Sequence, residues 1–549
     1  MRRSGAGGGK FMRISSGLLV AAAVVGLQLP ASVSAADEVL VWHDLLLDTY
    51  RLMGGCPCPL SRVGGMTSGA IFDAVNSIDG SYQPYLTSVP ASPTASKEAA
   101  VAQAAHDVLV ELFPSLQAEY DAQLIASLGA IVDGPEKTEG IQVGATVAAE
   151  MIAARQDDGW NNYQSYQYGN APGEWRPTWP DFLPPCNSHW GTVTPWGIPS
   201  GEMFRPSPPP TLDDPIYTAD FIETKALGKV NSVERNSDQY TNAWFWANDR
   251  DGSYKPVGHM IDITRIISQQ YELSMVENAR LFALASIAMA DAAICAWDAK
   301  YLTDLDFWRP IQGIRLADQD GNPNTIKDGS WVPLGIGSPA FPAYISGHAC
   351  FAASCASVIR NYFGTDDIAF TCTTDDPRLL PGVTTQSYNS LTEAVTANGR
   401  SRVFLGVHWQ NDCDRGIEVG TQVGDYIFAN YMQPAPSSVD PFETKFASTL
   451  SVSRIAPNPS RHSATVELVL PVDGRLDLGI YDPSGRRVYG FDPSERQAGS
   501  VSLEWNLVDM SRRQRVPAGV YFVKGQLVPT SGAAPVGPSE AQARLVVLP

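Results

Sequence analysis

Phe341-Pro-Ala-Tyr-Ile-Ser-Gly-His348 leads a histidine out of a turn rich in proline and glycine into an apolar segment. The spacing of the apolar residues that follow predicts a helix from Cys350 to Phe363. A hydroxyl and a backbone N–H at the start of a helix can donate hydrogen bonds to an anion. The stretch therefore predicts that Ser346, Gly347 and His348 lie beside an anion-binding site.

Two other short blocks carry the charged side chains that such a site needs. They contain Lys300 with Arg309, and Arg402 with His408 and Asp412. The planar guanidinium of arginine can donate two parallel hydrogen bonds to the oxygens of an oxyanion, and the ammonium of lysine adds a point charge. If Asp412 and His408 share one helix face, the carboxylate can bind one imidazole nitrogen and leave the other free to attack or ligate. The three blocks together predict an oxyanion site.

Length and charge limit the possible architectures and partners. The chain has 549 residues, a formal net charge of −19 at pH 7 and eight cysteines. This length predicts two or more domains, and the negative charge disfavours nucleic acid as a partner. No segment after the N-terminus has about 18 uninterrupted apolar residues, so no membrane span is expected. Eight cysteines in an exported protein can form disulfides, but roughly 105 full pairings are open.

The N-terminus resembles a secretory signal peptide. Basic residues precede an apolar run from Leu18 to Leu29, and Val33-Ser34-Ala35 has the small residues of a cleavage site. We expect residues 1–35 to be removed near Ala35. The mature protein is then secreted, periplasmic or held at the cell surface.

In the rest of the chain, the spacing of the apolar residues changes once, from a helical to a strand-like period. Residues 36–432 have helical periodicity interrupted by a long loop rich in tryptophan and proline between Gly159 and Pro215, which predicts a mainly α domain. Residues 433–446 are typical of a linker, and residues 447–549 alternate as strands do. We therefore expect a helical bundle followed by a small all-β, immunoglobulin-like sandwich.

The three blocks resemble the signature of the vanadium-dependent haloperoxidases and their relatives, the type-2 phosphatidic acid phosphatases and bacterial acid phosphatases. The resemblance extends from Val41-Trp-His-Asp through Asp73-Ala-Val-Asn-Ser to Gly424. It implies a helical bundle that binds vanadate, with phosphate able to occupy the same site. Hydrogen peroxide and a halide, or a phosphomonoester, would be the substrates.

The resemblance also implies a role for each polar residue of the blocks. His408 would be the axial vanadate ligand, or the phosphorylated nucleophile of a phosphatase, with Asp412 supporting it. His348 would be the acid–base group at the apical oxygen. The remaining oxygens would be bound by Lys300, Arg309, Arg402, Ser346 and Gly347.

Three further positions are similar to the chloroperoxidase type, including its bacterial members. Trp297 and Phe341 match the aromatic halide pocket, and Asp249 matches an acid that pairs with an arginine. The alternative is that both aromatic residues are ordinary core residues. A free thiol at Cys350, two residues from His348, would be at risk from hypohalous acid unless it is protected.

The sequence departs from the family pattern in two places. Ile345 replaces the proline of the Pro-Ser-Gly-His turn, and Lys300 and Arg309 are nine residues apart rather than seven. On a continuous helix, nine steps would place the two side chains on opposite faces. Either the extra residues form a bulge around Thr303-Asp304, or Lys300 does not reach the anion.

The C-terminal region has a resemblance of its own. Ala456-Pro-Asn-Pro459 and Ala518-Gly-Val-Tyr-Phe522 are similar to immunoglobulin-like sorting domains of secreted bacterial proteins, including type IX secretion substrates. Attachment to the cell surface or to a secretion system is the implied role. Three functions follow: a secreted haloperoxidase, an acid phosphatase with a phosphohistidine intermediate, or a non-catalytic surface protein with a decayed site.

Overall fold

The computed structural model describes residues 37–53, 55–335, 337–380, 382–435, 450–456, 460–461, 463–497, 499–529 and 539–547. The expected signal peptide and its cleavage site lie outside these residues. So do residues 436–446 of the expected linker and the Pro-Asn-Pro part of the C-terminal motif. The domain boundaries drawn at these segments remain predictions.

The region before the linker is a helical assembly, as predicted. Its α-helices are α1 Glu38–Leu52, α2 Pro57–Asp79, α3 Lys97–Leu112, α4 Gln117–Gly129, α5 Pro135–Arg155, α6 Pro215–Leu227, α7 Ser237–Phe245, α8 Lys255–Gln270, α9 Met275–Tyr301, α10 Pro310–Arg315, α11 Gly347–Phe363, α12 Leu391–Phe404 and α13 Gln410–Asn430. One small hairpin joins them, β1 Phe370–Thr373 with β2 Thr385–Tyr388. The helices expected from periodicity are present, and the segment 159–215 contains only one short 3₁₀ turn.

Helix α9 is the centre of the bundle. Every residue from Asn278 to Tyr301 is buried, and the helix packs against α2 on the N-terminal side and against α11 and α13 on the C-terminal side. Among the described helices, α9 alone is long and apolar enough to cross a membrane, yet its apolar window lies wholly inside the protein. Its last turn carries Trp297 and Lys300, so the core helix ends at the candidate site.

Glycines on α13 bring it into direct contact with α11. Gly416, Gly420 and Gly424 repeat every fourth residue and so share one face of the helix. A Cβ atom on Gly416 would lie 2.6 Å from the backbone oxygen of Ser346, and one on Gly420 would collide with the backbone oxygen of Cys350. The close packing fixes the start of α11, with His348, against the start of α13.

We expect Gly420→Ala to destabilise the helical region by about 3 kcal/mol, because the added methyl group meets a backbone carbonyl that cannot rotate away. The measurement is denaturant unfolding followed by the helical circular dichroism signal. Gln422→Ala, at an exposed position of the same helix, is the control and should leave the midpoint nearly unchanged. Equal stability of the two variants would contradict the packing argument.

A disulfide links the long loop to the start of α2. It joins Cys56 to Cys186, which are 130 residues apart in the sequence. The other six cysteines are free and buried. Within the described residues, no group of three or more His, Cys, Asp or Glu side chains is arranged to hold a metal ion.

The C-terminal region consists of antiparallel strands, as predicted. They are β3 Ser451–Ala456, β4 Ala464–Leu470, β5 Gly474–Tyr481, β6 Arg487–Gly490, β7 Ser494–Arg496, β8 Gly499–Trp505, β9 Val508–Asp509, β10 Gln514–Arg515, β11 Gly519–Pro529 and β12 Ser539–Val547. One sheet has the order β12-β11-β5-β6 with β7 beside β5, and another has the order β3-β4-β8. Val466 of β4 and Leu478 of β5 belong to one apolar cluster, which is the pattern of a sandwich.

The residues at the start of the expected linker form backbone hydrogen bonds with the helical region. The backbone N–H of Gln83 donates to the oxygen of Gln433 at 2.8 Å, and that of Ala435 donates to the oxygen of Ser81 at 3.0 Å. A short antiparallel bridge between Tyr82 and Pro434 lies between these bonds. A chain shortened to the helical region should therefore end after Ala435 and not at Gln433.

Candidate active site

Seven of the residues singled out from the sequence line one cavity of about 650 Å³. They come from four separate parts of the chain: Asp249, Trp297, Phe341, Gly347, His348, Arg402 and His408. Arg309 is fully buried behind this wall and hydrogen-bonds His408, while Ser346 and Lys300 are buried next to the same turn. The tertiary structure thus brings the three sequence blocks together.

His408 is held as a neutral imidazole whose single Nε2 lone pair accepts a hydrogen bond. Nη1 of Arg309 donates to its Nε2 at 2.9 Å, so Nε2 carries no proton. The proton is on Nδ1, which faces Oδ2 of Asp412 at 3.2 Å. Nε2 is therefore the nitrogen that can ligate or attack, once Nη1 of Arg309 gives up this hydrogen bond.

The support from Asp412 arises differently from the sequence prediction, which placed both residues on one helix. His408 precedes α13, and Trp409 is its N-cap. Asp412 lies in the first turn, where its Oδ2 also accepts the backbone N–H of Trp409 at 2.9 Å. The carboxylate therefore caps the helix and orients the histidine at once. The backbone N–H of Ser346 donates to the oxygen of Asp412 at 2.9 Å, which joins the two histidine segments.

Two buried arginines have N–H groups with no partner in the described part of the chain. Arg309 uses Nε for the oxygen of Phe341 at 2.8 Å and Nη1 for the oxygen of Val407 at 2.7 Å, but its Nη2 is unpaired. Arg402 donates from Nη2 to Asp249 at 3.0 Å, while its Nε and Nη1 are unpaired. Buried donors without partners are costly, so three of them in one site indicate a missing acceptor.

Lys300 is not free to bind an anion in this structure. Its Nζ donates to the oxygens of Pro342 at 2.8 Å, Ala343 at 3.2 Å and Ile345, which uses its three donors. Helix α9 ends at Tyr301 and Arg309 is the N-cap of α10, so the two residues do not share a helix. The chain leaves the helix between the two residues, as the bulge alternative expected, but the three carbonyls occupy Nζ of Lys300, as the other alternative expected. Lys300 supports the turn that carries His348.

The turn after α7 supports both His348 and Arg402. Nε2 of His348 donates to the oxygen of Ala247 at 3.0 Å, which leaves Nδ1 as the nitrogen able to accept a proton. Oδ1 of Asp249 lies 3.6 Å from the same Nε2, and Oδ2 binds Arg402. Asp249 thus pairs with an arginine as the resemblance implies.

The pKa values of these groups share one cause. Burial lowers the pKa of Arg309 to about 9, and burial followed by the charge of Arg309 lowers that of Lys300. Burial and then Arg402 lower the pKa of His348 to about 4. Burial raises the pKa of Asp412 to about 7. Burial comes first in each case and, for the three basic groups, their basic neighbours add to it, so an oxyanion bound here would stabilise the charged forms of Arg309 and His348.

The two aromatic residues of the expected halide pocket meet at the cavity wall. The ring centroids of Trp297 and Phe341 are 5.0 Å apart, and Trp297 packs against Gly347. Trp297 is fully buried in the main core and Phe341 is partly exposed and packs against that core, while both line the cavity, so their role as a halide pocket stays a prediction. Cys350 is a free thiol, and burial rather than a disulfide protects it, with its pKa raised to about 12.

Asn248 is a site residue that the sequence argument missed. It is fully buried and has a positive φ of 41°, which an asparagine tolerates better than most residues. Its Nδ2 donates to Nδ1 of His259 at 2.9 Å, and its Oδ1 accepts from Thr374 at 3.1 Å. Asn248 therefore fixes the turn that presents Ala247 and Asp249 to the site. The only hint in the sequence is its place next to Asp249, because its partners are distant along the chain.

We expect Asn248→Ala to lower turnover about 10- to 100-fold, because a loosened turn displaces the partners of His348 and Arg402. Asn248→Gly is the matched variant: it restores the backbone freedom but not the hydrogen bonds. Affinity for an oxyanion, with vanadate as the probe, should weaken in both variants, measured by equilibrium titration beside thermal stability. Full recovery in the glycine variant would mean that only the backbone conformation matters.

The segment that carries most of this geometry matches a known family. A family model described as the VCPO second helical-bundle domain matches residues 280–435, which span nearly all of α9 and continue past α13. Vanadium chloroperoxidase of Curvularia inaequalis is 26% identical over 489 residues, covering 68% of this chain and 79% of that protein. These two matches support the superfamily of vanadium-dependent haloperoxidases and type-2 phosphatidic acid phosphatases for the helical region.

Solved structures of the superfamily share the fold. The first bacterial vanadium-dependent iodoperoxidase aligns with a TM-score of 0.62 and 22% identity, covering 73% of this chain and 97% of that one. A holo-type bacterial vanadium-dependent chloroperoxidase aligns with a TM-score of 0.56 and 18% identity, covering 69% and 93%. These alignments confirm the helical-bundle class.

Proposed function

We propose that this protein is a vanadium-dependent haloperoxidase that oxidises a halide with hydrogen peroxide. One observation carries the proposal: two buried arginines with unpaired N–H groups flank a neutral histidine whose Nε2 carries no proton. A tetrahedral oxyanion offers both the acceptors and the negative charge that this arrangement lacks. A site preserved to this degree also argues against a decayed surface protein.

The side chains present fit vanadate. Nε2 of His408 would be its protein ligand, and Arg309 and Arg402 would hold its oxygens, together with the Ser346 and Gly347 region at the start of α11. When bound, vanadate activates hydrogen peroxide toward attack by a halide. The protein supplies orientation and preorganised positive charge, since it needs no redox-active side chain for this chemistry.

His348 is the proton carrier of the proposed reaction. Its Nε2–H is tied to the oxygen of Ala247, so Nδ1 accepts and returns the proton. A bound oxyanion would raise the pKa of this histidine from its low value, because an opposite charge favours the protonated form. Asp249 stabilises that form through Oδ1 and keeps Arg402 in place through Oδ2.

A phosphatase is the second candidate, because the same lone pair on His408 would suit attack on phosphorus. The arginine donors would then bind a phosphomonoester, and His348 would protonate the leaving group. Trp297 and Phe341 at the cavity wall favour the peroxidase, since aromatic edges suit a weakly hydrated halide better than a phosphate.

The experiment compares both reactions on one sample. The protein is reconstituted with vanadate and assayed with peroxide and iodide, bromide or chloride, while the vanadate-free protein is assayed with a phosphomonoester. Vanadate-dependent halide oxidation supports the peroxidase. Phosphate release that vanadate inhibits, without halide oxidation, supports the phosphatase.

We also propose that the protein works outside the cytoplasm, with its C-terminal sandwich as an attachment module. The apparent signal peptide and the Cys56–Cys186 disulfide support export, because disulfides persist in oxidising compartments. Detection of the mature protein in the culture fluid or on the cell surface, starting after Ala35, tests this proposal.

A further inference from the structure

A second cavity lies between helices α2, α3 and α5, apart from the candidate active site. Its volume is about 570 Å³, within the range of roughly 300–1,000 Å³ that is usual for sites of small organic ligands. It shares no lining residue with the cavity around His348 and His408. The proposed reaction does not use this space, so a molecule bound here would be a separate ligand.

The walls of this second cavity are mostly apolar. Leu60, Val63 and Met66 are buried and contribute one face of α2, and the partly exposed Ile152 contributes surface from α5. Transfer of a hydrocarbon chain from water to such walls is favourable. Met53 and Met66 have unbranched side chains, which adjust readily to a flexible ligand.

One buried guanidinium, that of Arg62, lines the cavity with an unused donor. Arg62 is 5% exposed, and its Nε donates to Oδ2 of Asp158 at 2.8 Å and its Nη2 to the oxygen of Arg155 at 2.6 Å. Neither acceptor residue lines the cavity. Nη1 has no acceptor in the described part of the chain, yet it keeps accessible surface. It is therefore the nitrogen of Arg62 that can donate to a ligand.

The charges around Arg62 are unequal in number. Nε of Arg155 donates to the same Oδ2 of Asp158 at 3.0 Å, and among the described residues no other carboxylate pairs with either arginine. Two guanidinium groups therefore share one carboxylate. Glu111 also lines the cavity, but it is exposed and forms no ion pair with a described residue. Burial lowers the pKa of Arg62, and an anion bound at Nη1 would favour its charged form.

We propose that this cavity binds a fatty carboxylate of medium chain length, with the carboxylate on Nη1 of Arg62 and the chain between α2 and α5. The single negative charge of the ligand matches the one that the arginine pair lacks, and a charge-assisted hydrogen bond fixes the head group. The ring of Trp160 lines the same cavity, and its centroid is 5.1 Å from Cζ of Arg62, so it holds the guanidinium in place. This inference does not depend on the haloperoxidase function.

Calorimetric titration of the full chain with octanoate and decanoate tests the site. Each should bind once per chain, and decanoate should bind more tightly by about fourfold for each additional methylene group. Decyltrimethylammonium has a similar chain and the opposite charge, so it is the matched control ligand and should bind at least about tenfold more weakly. Decanoate binding that does not saturate, or equal affinity for the cation, would overturn the proposal.

Two substitutions test whether the ligand lies in this cavity. Arg62→Met should weaken decanoate binding at least about tenfold, because the head group loses its donor while Asp158 keeps Arg155. Ile152→Glu adds a carboxylate to the cavity wall and should weaken binding by a similar factor. Ala153→Glu, at an exposed position outside the lining, is its matched control and should bind as the parent protein does.

Thermal unfolding shows whether each variant is folded. If Arg62→Met does not fold, the comparison of Ile152→Glu with Ala153→Glu decides the location, and the titrations of the parent protein do not depend on either. Unchanged decanoate affinity in folded Arg62→Met, or in folded Ile152→Glu, would overturn the assignment to this cavity.

Discussion

His408→Ala should weaken vanadate binding at least about 100-fold and abolish halide oxidation. His408 is buried, and its Nε2 accepts a hydrogen bond from the guanidinium of Arg309. Removing the His408 side chain deletes the only protein–vanadium bond that we propose. Equilibrium vanadate titration by calorimetry measures the effect. The fold should survive, because Arg309 keeps its bonds to the oxygens of Phe341 and Val407.

His348→Ala is the matched control for this prediction. It should bind vanadate within about tenfold of the parent protein but lose about 10²–10⁴ in turnover, the usual contribution of a general acid–base group. Vanadate affinity and turnover of the two variants would then distinguish the residue that binds vanadium from the residue that transfers the proton. Binding by His408→Ala as tight as in the parent protein would refute the ligand assignment.

Arg309→Met should lower turnover about 10²–10³-fold and weaken vanadate binding by a similar factor, because it removes an unpaired buried donor aimed at the anion. Lys300→Met should behave differently. Its three donors support the oxygens of Pro342, Ala343 and Ile345, so its loss leaves buried carbonyls unpaired. We expect a fall in thermal stability and in turnover, with vanadate affinity changed less than tenfold.

The comparison of the two variants decides how Lys300 acts. Vanadate affinity and thermal unfolding are measured for Arg309→Met and Lys300→Met. Arg309→Lys is a third variant, which keeps the positive charge but loses the planar guanidinium. If Lys300→Met loses as much vanadate affinity as Arg309→Met while its melting temperature is unchanged, Lys300 contacts the anion directly.

Some features were determined by the sequence alone, because they depend on local periodicity and on short motifs. The apolar spacing after His348 predicted helix α11, and alternation predicted the strands of the C-terminal region. The residue types of the three blocks were also sufficient to predict that they form an oxyanion-binding site. Helix ends were less well determined, as α11 starts at Gly347 and not at Cys350.

Other features were decided only by the tertiary structure, because they depend on contacts between distant segments. No local pattern shows that Lys300 faces the turn after Phe341, that Asn248 pairs with His259, or that Cys186 is the partner of Cys56. Each contact arises where helix packing and loop closure bring the segments together. The sequence therefore determined which groups the site contains, while packing decided which of them face the anion and which support those that do.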